Sequence, residues 1–404
     1  MKIFQTLTLF FALLLSTYSQ SYAVTALGTE TILYKYFGVN VHMDNCCNGN
    51  YSNIDRVVKR LQYIGVRRVR DWVQNDYIIK QWLKVYTTTG IRFHIALPQS
   101  SPEGQRLGLA RADSWMAQYP DLIDGIEGTN EPDTPHPISL GASLEDSAIL
   151  QSDVYRIGRK NGTLVSQLSV GAGWTAPLYE GNYKNFGKPP ADFGNAHVYP
   201  NTAVPPSITL KRIGDLAAYS VDGKAVDVTE FGIFKRNKST SVDAFMHIAP
   251  FSSYLLGHTG LFVYALHDDM TDAIGFYDAN GYPRYFAQYW NRTTSLLSDP
   301  NGKNLPPKDI NITFTNQKFY GTGLLGIKNV VMYKSDGSVW IATYDEEKPL
   351  TSLGSQTIVL DNIYNSVTVF DGRSGLAVKQ YNNVDRIDIK LPNNHLYLVR
   401  ASDY

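Results

Sequence analysis

The chain of 404 residues carries 37 Lys and Arg residues against 37 Asp and Glu residues, so its formal net charge is zero. This balance argues against nucleic acid or an anionic membrane surface as the main partner. The two cysteines, Cys46 and Cys47, are adjacent in sequence, which excludes a disulfide-stapled scaffold and requires a large hydrophobic core. A strained vicinal bridge and a pair of free thiols both remain open for them.

The N-terminus has the pattern of a secretory signal. Lys2 precedes a short apolar run at 7–15, and small residues flank Tyr22 in the sequence Ser-Tyr-Ala. The run is shorter than the roughly 20 residues that a membrane span needs. We therefore expect a signal peptide at 1–23 and a secreted or extracytoplasmic protein that has no membrane association once the signal is removed. N-x-S/T sequons predict N-glycosylation if the source is eukaryotic, and they lie at Asn50, Asn161, Asn237, Asn291 and Asn311.

Residues 24–296 alternate short apolar strands with helix-like stretches. The predicted strands cover 36–44, 66–72, 91–98, 123–130, 168–175, 192–200, 224–232 and 260–269. Between the first two strands, apolar residues at helical spacing predict a helix over 53–65 that ends at Gly65. Eight strands alternating with helices over this length predict a (β/α)8 TIM barrel. A doubly wound open sheet is the competing arrangement, and it is disfavoured because no glycine-rich phosphate loop follows the first strand.

The C-terminal region has a different pattern. Short strands, several of them alternating, are separated by turns, and they cover 308–316, 337–345, 355–362, 365–372, 385–392 and 395–401. We interpret 305–404 as a small C-terminal antiparallel β-sandwich that follows the barrel, with 297–307 as the connector.

In a barrel of this kind, catalytic side chains lie at the carboxyl ends of the strands. Glu131 closes the fourth predicted strand and Glu230 closes the seventh. Polar and aromatic candidates near the ends of the other strands are Asn40, His42, Arg70, Asp71, Trp174, His197, Tyr199, Tyr264 and His267. We expect these side chains to face one cavity.

Two motifs, GTNEPD at 128–133 and VTEFG at 228–232, resemble the paired signatures of clan A glycoside hydrolases. Those enzymes are (β/α)8 barrels with an Asn-Glu pair ending strand four and a second Glu ending strand seven, and the appended sandwich is similar to that of family 39 and its relatives. The resemblance implies that Glu131 is the general acid/base and Glu230 the nucleophile. The family often carries a tryptophan at the end of strand eight, whereas this chain has YALHDD at 264–269, so the platform of the innermost sugar is not assigned.

The chemistry of glycosidic bond hydrolysis supports the same pair. A retaining enzyme needs two carboxyl groups about 5–5.5 Å apart, one protonated and the other ionised. Arg70 is predicted to hold Glu230 ionised through charge-assisted hydrogen bonds. Asn130 is placed to bond a sugar hydroxyl beside the scissile bond.

Neighbouring residues compete with these assignments. Glu127 shares strand parity with Glu131, but four residues at about 3.3 Å each place it deep in the barrel, where we expect it to pair with an arginine. Arg68 and Arg70 both qualify as that partner, and Arg70 is assigned to the site because it lies nearer the end of its strand. Taken alone, Glu131 could also open a helix, where acidic residues suit the helix dipole.

Aromatic and histidine side chains complete the predicted substrate-binding set, together with Asn130 and Arg70. They are His42, His197, Tyr199, Tyr264 and Trp174. Tyr264 is expected either to hydrogen-bond the nucleophile or to be a core aromatic, and Trp174 and Trp72 offer broad apolar faces for sugar rings. No metal site is expected, because the eight histidines are scattered and HExxH does not occur. A Ser-His-Asp triad is not expected either, because no G-x-S-x-G elbow occurs. Hydrolysis by two carboxyl groups needs no cofactor.

The sequence therefore predicts a secreted retaining glycoside hydrolase that cleaves O-glycosidic bonds of a polysaccharide or oligosaccharide. One alternative is a catalytically inactive barrel that binds glycan, which a Glu131–Glu230 separation beyond about 9 Å would favour. The other is a cell-surface interaction protein whose function lies in the region 305–404.

Overall fold

The computed structural model describes residues 22–44, 49–98, 100–133, 143–171, 182–185, 187–200, 204–233, 240–268, 274–315, 319–320, 325–346, 354–392 and 394–403. Within these ranges, no helix combines the length and the apolar character needed to span a membrane. Residues 1–21, Cys46, Cys47, Trp174 and Asn237 lie outside them, so what the sequence predicts for those residues stays a prediction.

The first described strand, β1 (Tyr22–Gly28), lies in a C-terminal sheet, and the next eight strands form a parallel, nearly closed barrel. The barrel strands are β2 (Gly38–Asn40), β3 (Arg68–Trp72), β4 (Arg92–Leu97), β5 (Ile123–Thr129), β6 (Leu164–Ser166), β7 (Gly194–Val198), β8 (Val226–Phe231) and β9 (Gly260–Val263). Their order is β6-β5-β4-β3-β2-β9-β8-β7, and a parallel bridge between Ser166 and Phe193 joins the two ends. The predicted TIM barrel is confirmed, and this closure excludes the open doubly wound sheet.

Helices connect the barrel strands and pack around them. In the described part of the chain they are α1 (Thr29–Tyr36), α2 (Ile54–Ile64), α3 (Asp76–Thr89), α4 (Pro102–Gln118), α5 (Leu144–Lys160), α6 (Pro206–Tyr219), α7 (Thr240–Leu255) and α8 (Tyr285–Leu297). The Asn53 side chain caps α2 by accepting a hydrogen bond from Arg56 N at 3.0 Å, and the helix ends at Gly65 in a left-handed conformation with φ 72°. The helix predicted over 53–65 is confirmed.

The fifth barrel strand is shorter and earlier than predicted. The prediction of a strand at 168–175 is wrong, because the fifth barrel strand, β6, ends at Ser166. Leu168 and Val170 are fully buried, yet they follow β6 in a segment that is not a strand. The apolar residues in this segment indicate that it is buried. Burial alone does not distinguish a strand from a buried connecting segment.

The barrel interior holds a row of charged side chains in place of some of the apolar layers usual in such barrels. At the amino end, Arg68 Nε lies 2.6 Å from Asp124 Oδ2. His94 follows, with its Nε2 3.6 Å from Glu127 Oε2. Gly125 leaves the space that His94 occupies, since a Cβ at that position would collide with the imidazole ring. Arg68 is therefore paired at the end of the barrel opposite the candidate site.

The C-terminal strands form one hydrogen-bonded sheet of eight strands. With β1, they are β10 (Lys308–Thr315), β11 (Phe319–Tyr320), β12 (Leu325–Tyr333), β13 (Val339–Glu346), β14 (Gly354–Asp371), β15 (Ala377–Leu391) and β16 (Leu396–Ser402). Because β1 pairs antiparallel with β10 and parallel with β12, the sheet curls and closes on itself. The strands predicted at 355–362 and 365–372 are one strand, β14, whose pairing with β15 shifts register between Val359 and Tyr364.

Alternate residues of this second sheet face two different cores. Trp340 and Tyr344 of β13 belong to the large cluster that also contains the barrel residues. Val339 and Ile341 of the same strand belong to a separate cluster inside the curled sheet. One face of β13 is thus packed on the barrel and the other closes the interior of the sheet, as the two-residue period of a strand requires.

Candidate active site

Two irregularities in strand pairing set the direction of the candidate glutamates. The pairing of β5 with β4 shifts register after Glu127, and the pairing of β8 with β7 shifts after Val228. A bulge adds a residue to one strand and changes which side chains face the interior, and bulges are common beside active sites. As a result, the consecutive residues Thr229 and Glu230 both approach His197 inside the barrel.

Glu131 lies just beyond the end of β5 in a left-handed backbone conformation, with φ 41°. A side chain other than glycine rarely adopts this region, and doing so costs on the order of 1 kcal/mol. The Glu131 N–H donates to Ser169 Oγ at 3.1 Å, and the side chain is 20% exposed. Strained residues of this kind cluster at functional sites, where the surrounding structure holds them.

Glu230 is buried and held by two donors. Its Oε1 accepts a hydrogen bond from Arg70 Nη1 at 2.7 Å, and its Oε2 accepts one from the Tyr199 hydroxyl. Burial raises the pKa of Glu230 above its ordinary value, while Arg70 and the Tyr199 hydroxyl act in the opposite direction. The ion pair expected from the sequence is present, but it does not offset the desolvation of the carboxylate.

Arg70 is fully buried, so it positions other side chains and does not itself line the cavity. Its Nε donates to Glu127 Oε1 at 2.9 Å, its Nη1 to Asn40 Oδ1 at 2.8 Å and its Nη2 to Asn130 Oδ1 at 2.7 Å. Burial acts to raise the pKa of Glu127, but Arg70 and His94 hold it at about 2. Since Oδ1 of Asn130 faces the guanidinium, its NH2 group is the donor that remains for a ligand.

A chain of hydrogen bonds reaches His197 from the barrel interior. Asn195 Nδ2 donates to Glu127 Oε2 at 3.0 Å and to the Gln167 carbonyl at 2.8 Å. Its Oδ1 therefore faces Thr229 and accepts from the Thr229 hydroxyl at 2.6 Å. Because that hydroxyl has given up its one proton, its oxygen can only accept from His197 Nε2, which lies 3.2 Å away.

The same chain bears on the hydrogen bond between His197 and Glu131. Burial lowers the pKa of His197, so the imidazole is neutral, and with its hydrogen on Nε2 the Nδ1 atom is an acceptor. Nδ1 lies 2.6 Å from Glu131 Oε1. A hydrogen bond at that distance needs a proton, and we infer that the Glu131 carboxyl group supplies it.

Glu131, Glu230 and His197 form one cluster. One oxygen from each carboxyl group and one imidazole nitrogen all lie within 4.8 Å of one another. These atoms are of types that ligate metal ions, a possibility that the sequence did not indicate. The donors Arg70 and Tyr199 occupy the Glu230 oxygens, so a cation at this cluster would compete with the guanidinium charge.

Aromatic side chains line the site beside the cluster. Tyr264 follows β9, and its hydroxyl lies 3.1 Å from His42 Nε2. The His42 ring is 5.0 Å from the Trp72 ring, and Tyr199 and Tyr264 are 6.3 Å apart. Tyr264 thus lies at the end of the eighth barrel strand, the position at which the clan A family often carries a tryptophan. Trp174 lies outside the described residues.

Two strand-end candidates lie away from the cluster. The Asp71 carboxylate accepts a hydrogen bond from Trp82 Nε1 at 2.7 Å, so it faces the helix layer. Burial raises the pKa of Asp71 to about 8. His267 Nδ1 lies 3.0 Å from Arg60 Nη1.

Asp133, the last residue of the GTNEPD motif, has a role that the sequence did not indicate. Its Oδ1 accepts a hydrogen bond from Gly171 N at 2.7 Å, which ties the segment after β5 to the segment after β6. Burial raises the pKa of Asp133 to about 6. Ser169, whose Oγ accepts from Glu131 N, was also not identified from the sequence. Both Ser169 and Gly171 lie in the segment that was predicted to be a strand, so their contacts with Glu131 and Asp133 were not expected.

Solved structures with the same fold are glycoside hydrolases. A GH39 β-xylosidase from Caulobacter crescentus matches with a TM-score of 0.56 at 11% identity, over 94% of this chain and 98% of that chain. AbfB, a family 51 α-L-arabinofuranosidase from Bifidobacterium longum, matches with a TM-score of 0.53 at 12% identity, over 95% and 98% of the two chains. These coverages include both the barrel and the C-terminal sheet.

At such low identity the likeness is one of fold, and it confirms the resemblance to clan A glycoside hydrolases at that level. A scan against protein-family models gives no match, and neither does a comparison with curated protein sequences. The chain therefore shares its fold with these glycoside hydrolases.

Proposed function

We propose that the protein is a retaining glycoside hydrolase acting on O-glycosidic bonds of an oligosaccharide or polysaccharide. The observation that carries the proposal is the spacing of Glu131 and Glu230, whose nearest carboxyl oxygens lie within 4.8 Å with His197 beside them. Retaining pairs are about 5–5.5 Å apart, whereas inverting pairs are about 6.5–9.5 Å apart to admit a water molecule. Two carboxyl groups whose nearest oxygens lie within 4.8 Å are close enough for a retaining pair, and we assign Glu131 and Glu230 to that class.

In the first step, Glu230 attacks the anomeric carbon while Glu131 donates its proton to the departing glycosidic oxygen. The proton on Glu131 is held against His197 Nδ1 at 2.6 Å, so the acid is poised before the substrate arrives. The Arg70 and Tyr199 hydrogen bonds fix both oxygens of the Glu230 side chain. Asn130 supplies an NH2 group for a sugar hydroxyl next to the bond that breaks.

In the second step, Glu131 is ionised and acts as the base. It removes a proton from a water molecule, the water oxygen attacks the anomeric carbon, and the bond between sugar and Glu230 breaks. Two inversions at one carbon give net retention. The proton returns to Glu131, which restores its hydrogen bond to His197.

The inactive glycan-binding barrel is the alternative. It predicts loss of carboxylate geometry, and the spacing of Glu131 and Glu230 weighs against it. We also propose that the protein acts outside the cytoplasm, which rests on the sequence of residues 1–23 alone.

The test is stereochemical. The full-length protein is screened on aryl glycosides and cell-wall polysaccharides, and the anomer released first is identified by proton NMR before mutarotation. We expect retention of configuration, no turnover by Glu230→Gln, and a loss of about 10²–10⁴ in kcat for Glu131→Gln on substrates with poor leaving groups.

Glu145→Gln is the matched control, since Glu145 is an exposed glutamate at the start of α5. It should keep wild-type activity. Inversion of configuration, or a wild-type rate in Glu230→Gln, would contradict the proposed mechanism.

A further inference from the structure

The second sheet contains a cleft of about 590 Å³, at the place where the ribbon of β14 and β15 bends. The bend follows the register shift between Val359 and Tyr364. It brings the two ends of β15 together, so that the Tyr381 hydroxyl donates to the Asp388 carbonyl at 3.2 Å. We propose that this cleft is a second carbohydrate-binding site, separate from the barrel, which takes a neutral oligosaccharide chain.

Two tyrosines line the cleft, and each is held by a neighbour. Lys379 Nζ lies 4.6 Å from the centre of the Tyr381 ring. The His395 ring stacks on Tyr397 at 4.8 Å with an interplanar angle of 10°. Rings fixed in this way lose little conformational entropy on binding, and their faces suit the apolar C–H faces of sugar rings.

The cleft also offers polar groups at its floor. Gln356 is 1% exposed, its Oε1 accepts from Thr343 Oγ1 at 2.9 Å, and its Nε2 has no hydrogen-bond partner among the described residues. A buried donor left unpaired is destabilising, so a ligand acceptor that reaches Gln356 Nε2 would remove that destabilisation. Sugar hydroxyls are acceptors as well as donors.

The charge and size of the cleft favour a neutral chain. Its charged lining residues are Lys379, Lys390 and Asp388, two positive charges against one negative, so no strong charge of one sign favours an ionic ligand. The volume lies within the range of about 300–1,000 Å³ that is typical of small-ligand sites. Exposed Val378, at 54%, adds an apolar edge.

Two clefts at the amino end of the barrel are weaker candidates. They share Tyr34 and Arg92, and their charged groups are already engaged, as in the ion pairs of Arg67 with Glu30 and Arg68 with Asp124. Their lining combines one tyrosine ring with paired charges, which is less suited to a sugar chain than the two tyrosines and unpaired amide of the β14–β15 cleft.

The site is tested by affinity electrophoresis of the full-length Glu230→Gln protein, which prevents hydrolysis during the run. The gels contain arabinoxylan, galactomannan, laminarin or polygalacturonate, in buffer with 150 mM NaCl. We expect retardation by at least one neutral polysaccharide, and a rise in Kd of about tenfold on adding Tyr381→Ala or Tyr397→Ala. Tyr381→Phe keeps the ring and should bind within about twofold of the parent.

Tyr219→Ala is the matched control, because Tyr219 is an exposed tyrosine on α6 with Lys188 Nζ 5.1 Å from its ring. It should leave Kd unchanged. If Tyr381→Ala does not fold, Val378→Glu tests the same cleft from an exposed edge and should also weaken binding.

Three results would overturn the proposal. The first is equal binding by the parent, Tyr397→Ala and Val378→Glu. The second is no retardation of the parent by any of the four polysaccharides. The third is retardation by polygalacturonate alone, which would assign binding to the lysine charges. The electrophoresis measures binding and not turnover. Its result can therefore be interpreted even if the proposed hydrolase activity is not found.

Discussion

At the scale of single residues, the site depends on how Arg70 distributes its hydrogen bonds. One buried guanidinium donates to two carboxylates, Glu127 and Glu230, and to the amide oxygens of Asn40 and Asn130. One positive charge between two carboxylates cannot neutralise both. Glu127 has a pKa lowered to about 2 against its burial, whereas burial dominates at Glu230 and raises its pKa. Removal of a partner from such a buried group costs about 3–5 kcal/mol.

The raised pKa of Glu230 predicts where activity is lost in acid. Glu230 attacks as an anion, so kcat/KM falls as the pH drops through its pKa, and a raised pKa moves this acid limb above the ordinary carboxylate range. The Tyr199 hydroxyl stabilises the anion. Tyr199→Phe should therefore raise the pKa of Glu230 further and shift the acid limb upward by about 1–2 pH units, since a hydrogen bond to a charged group is worth about 1.5–3 kcal/mol.

The measurement is kcat/KM against pH for the wild type and Tyr199→Phe. Tyr264→Phe is the control, because the Tyr264 hydroxyl lies 3.1 Å from His42, and we expect its acid limb to coincide with that of the wild type. An unchanged or downward-shifted limb in Tyr199→Phe would argue against Glu230 as the ionising nucleophile.

The sequence predicted that Glu131 and Glu230 meet and that Arg70 pairs with Glu230, but it did not predict the contacts that His197 and Ser169 make with Glu131. The rule that strand ends face one cavity was sufficient for Glu131 and Glu230, because the barrel forces those ends together. The bulges after Glu127 and Val228 were not predictable, since an extra residue in a strand leaves no periodic signal. The bulge is also why Thr229, adjacent to Glu230, takes part in the His197 hydrogen-bond chain.

At the scale of secondary structure elements, the end of α2 shows how one glycine connects a helix to its neighbour. Gly65 has φ 72°, and a Cβ at this position would collide with the Thr294 side chain of α8. We expect Gly65→Ala to lower the free energy of unfolding by about 3 kcal/mol, combining a left-handed conformation worth about 1–2 kcal/mol with overpacking worth about 1–3 kcal/mol. The free energies of unfolding of the wild type and Gly65→Ala are measured by urea denaturation.

Gly90 provides a matched control at the end of α3. Its φ is 74°, and nothing lies within 4 Å of a Cβ built there. Gly90→Ala should therefore lose only the conformational part, about 1 kcal/mol. Equal losses in the two variants would show that the contact with Thr294 contributes nothing.

Elements with strong local signals were the ones that the sequence located. The helix over 53–65 has a cap, a periodic apolar face and a terminal glycine, and each of these is a local property. β12 was not predicted, although its residues, like those of β13, pack on both cores. β1 was not predicted as part of the second sheet, since its pairing with β10 depends on residues far along the chain.

At the scale of the whole molecule, barrel and second sheet share one core. Trp340, Tyr344 and Leu398 lie in the same apolar cluster as the barrel residues. The Glu346 carboxylate accepts a hydrogen bond from Ser207 N at 2.7 Å, at the start of α6, and so stabilises a barrel helix from outside the barrel. The chain passes from the second sheet into the barrel after β1, and from the barrel back into the second sheet before β10. We expect neither part to unfold alone.

Hydrogen exchange in urea tests this coupling. Peptides covering β3–β5 and peptides covering β14–β16 should lose protection at the same urea concentration, because the two parts unfold together. Tyr344→Ala removes a fully buried ring between them and should lower both midpoints equally, with a loss of about 3–5 kcal/mol. Tyr285→Ala, at a tyrosine that is 64% exposed on α8, should leave both midpoints unchanged. Separate midpoints, with Tyr344→Ala moving only that of the second sheet, would show two independently folding units.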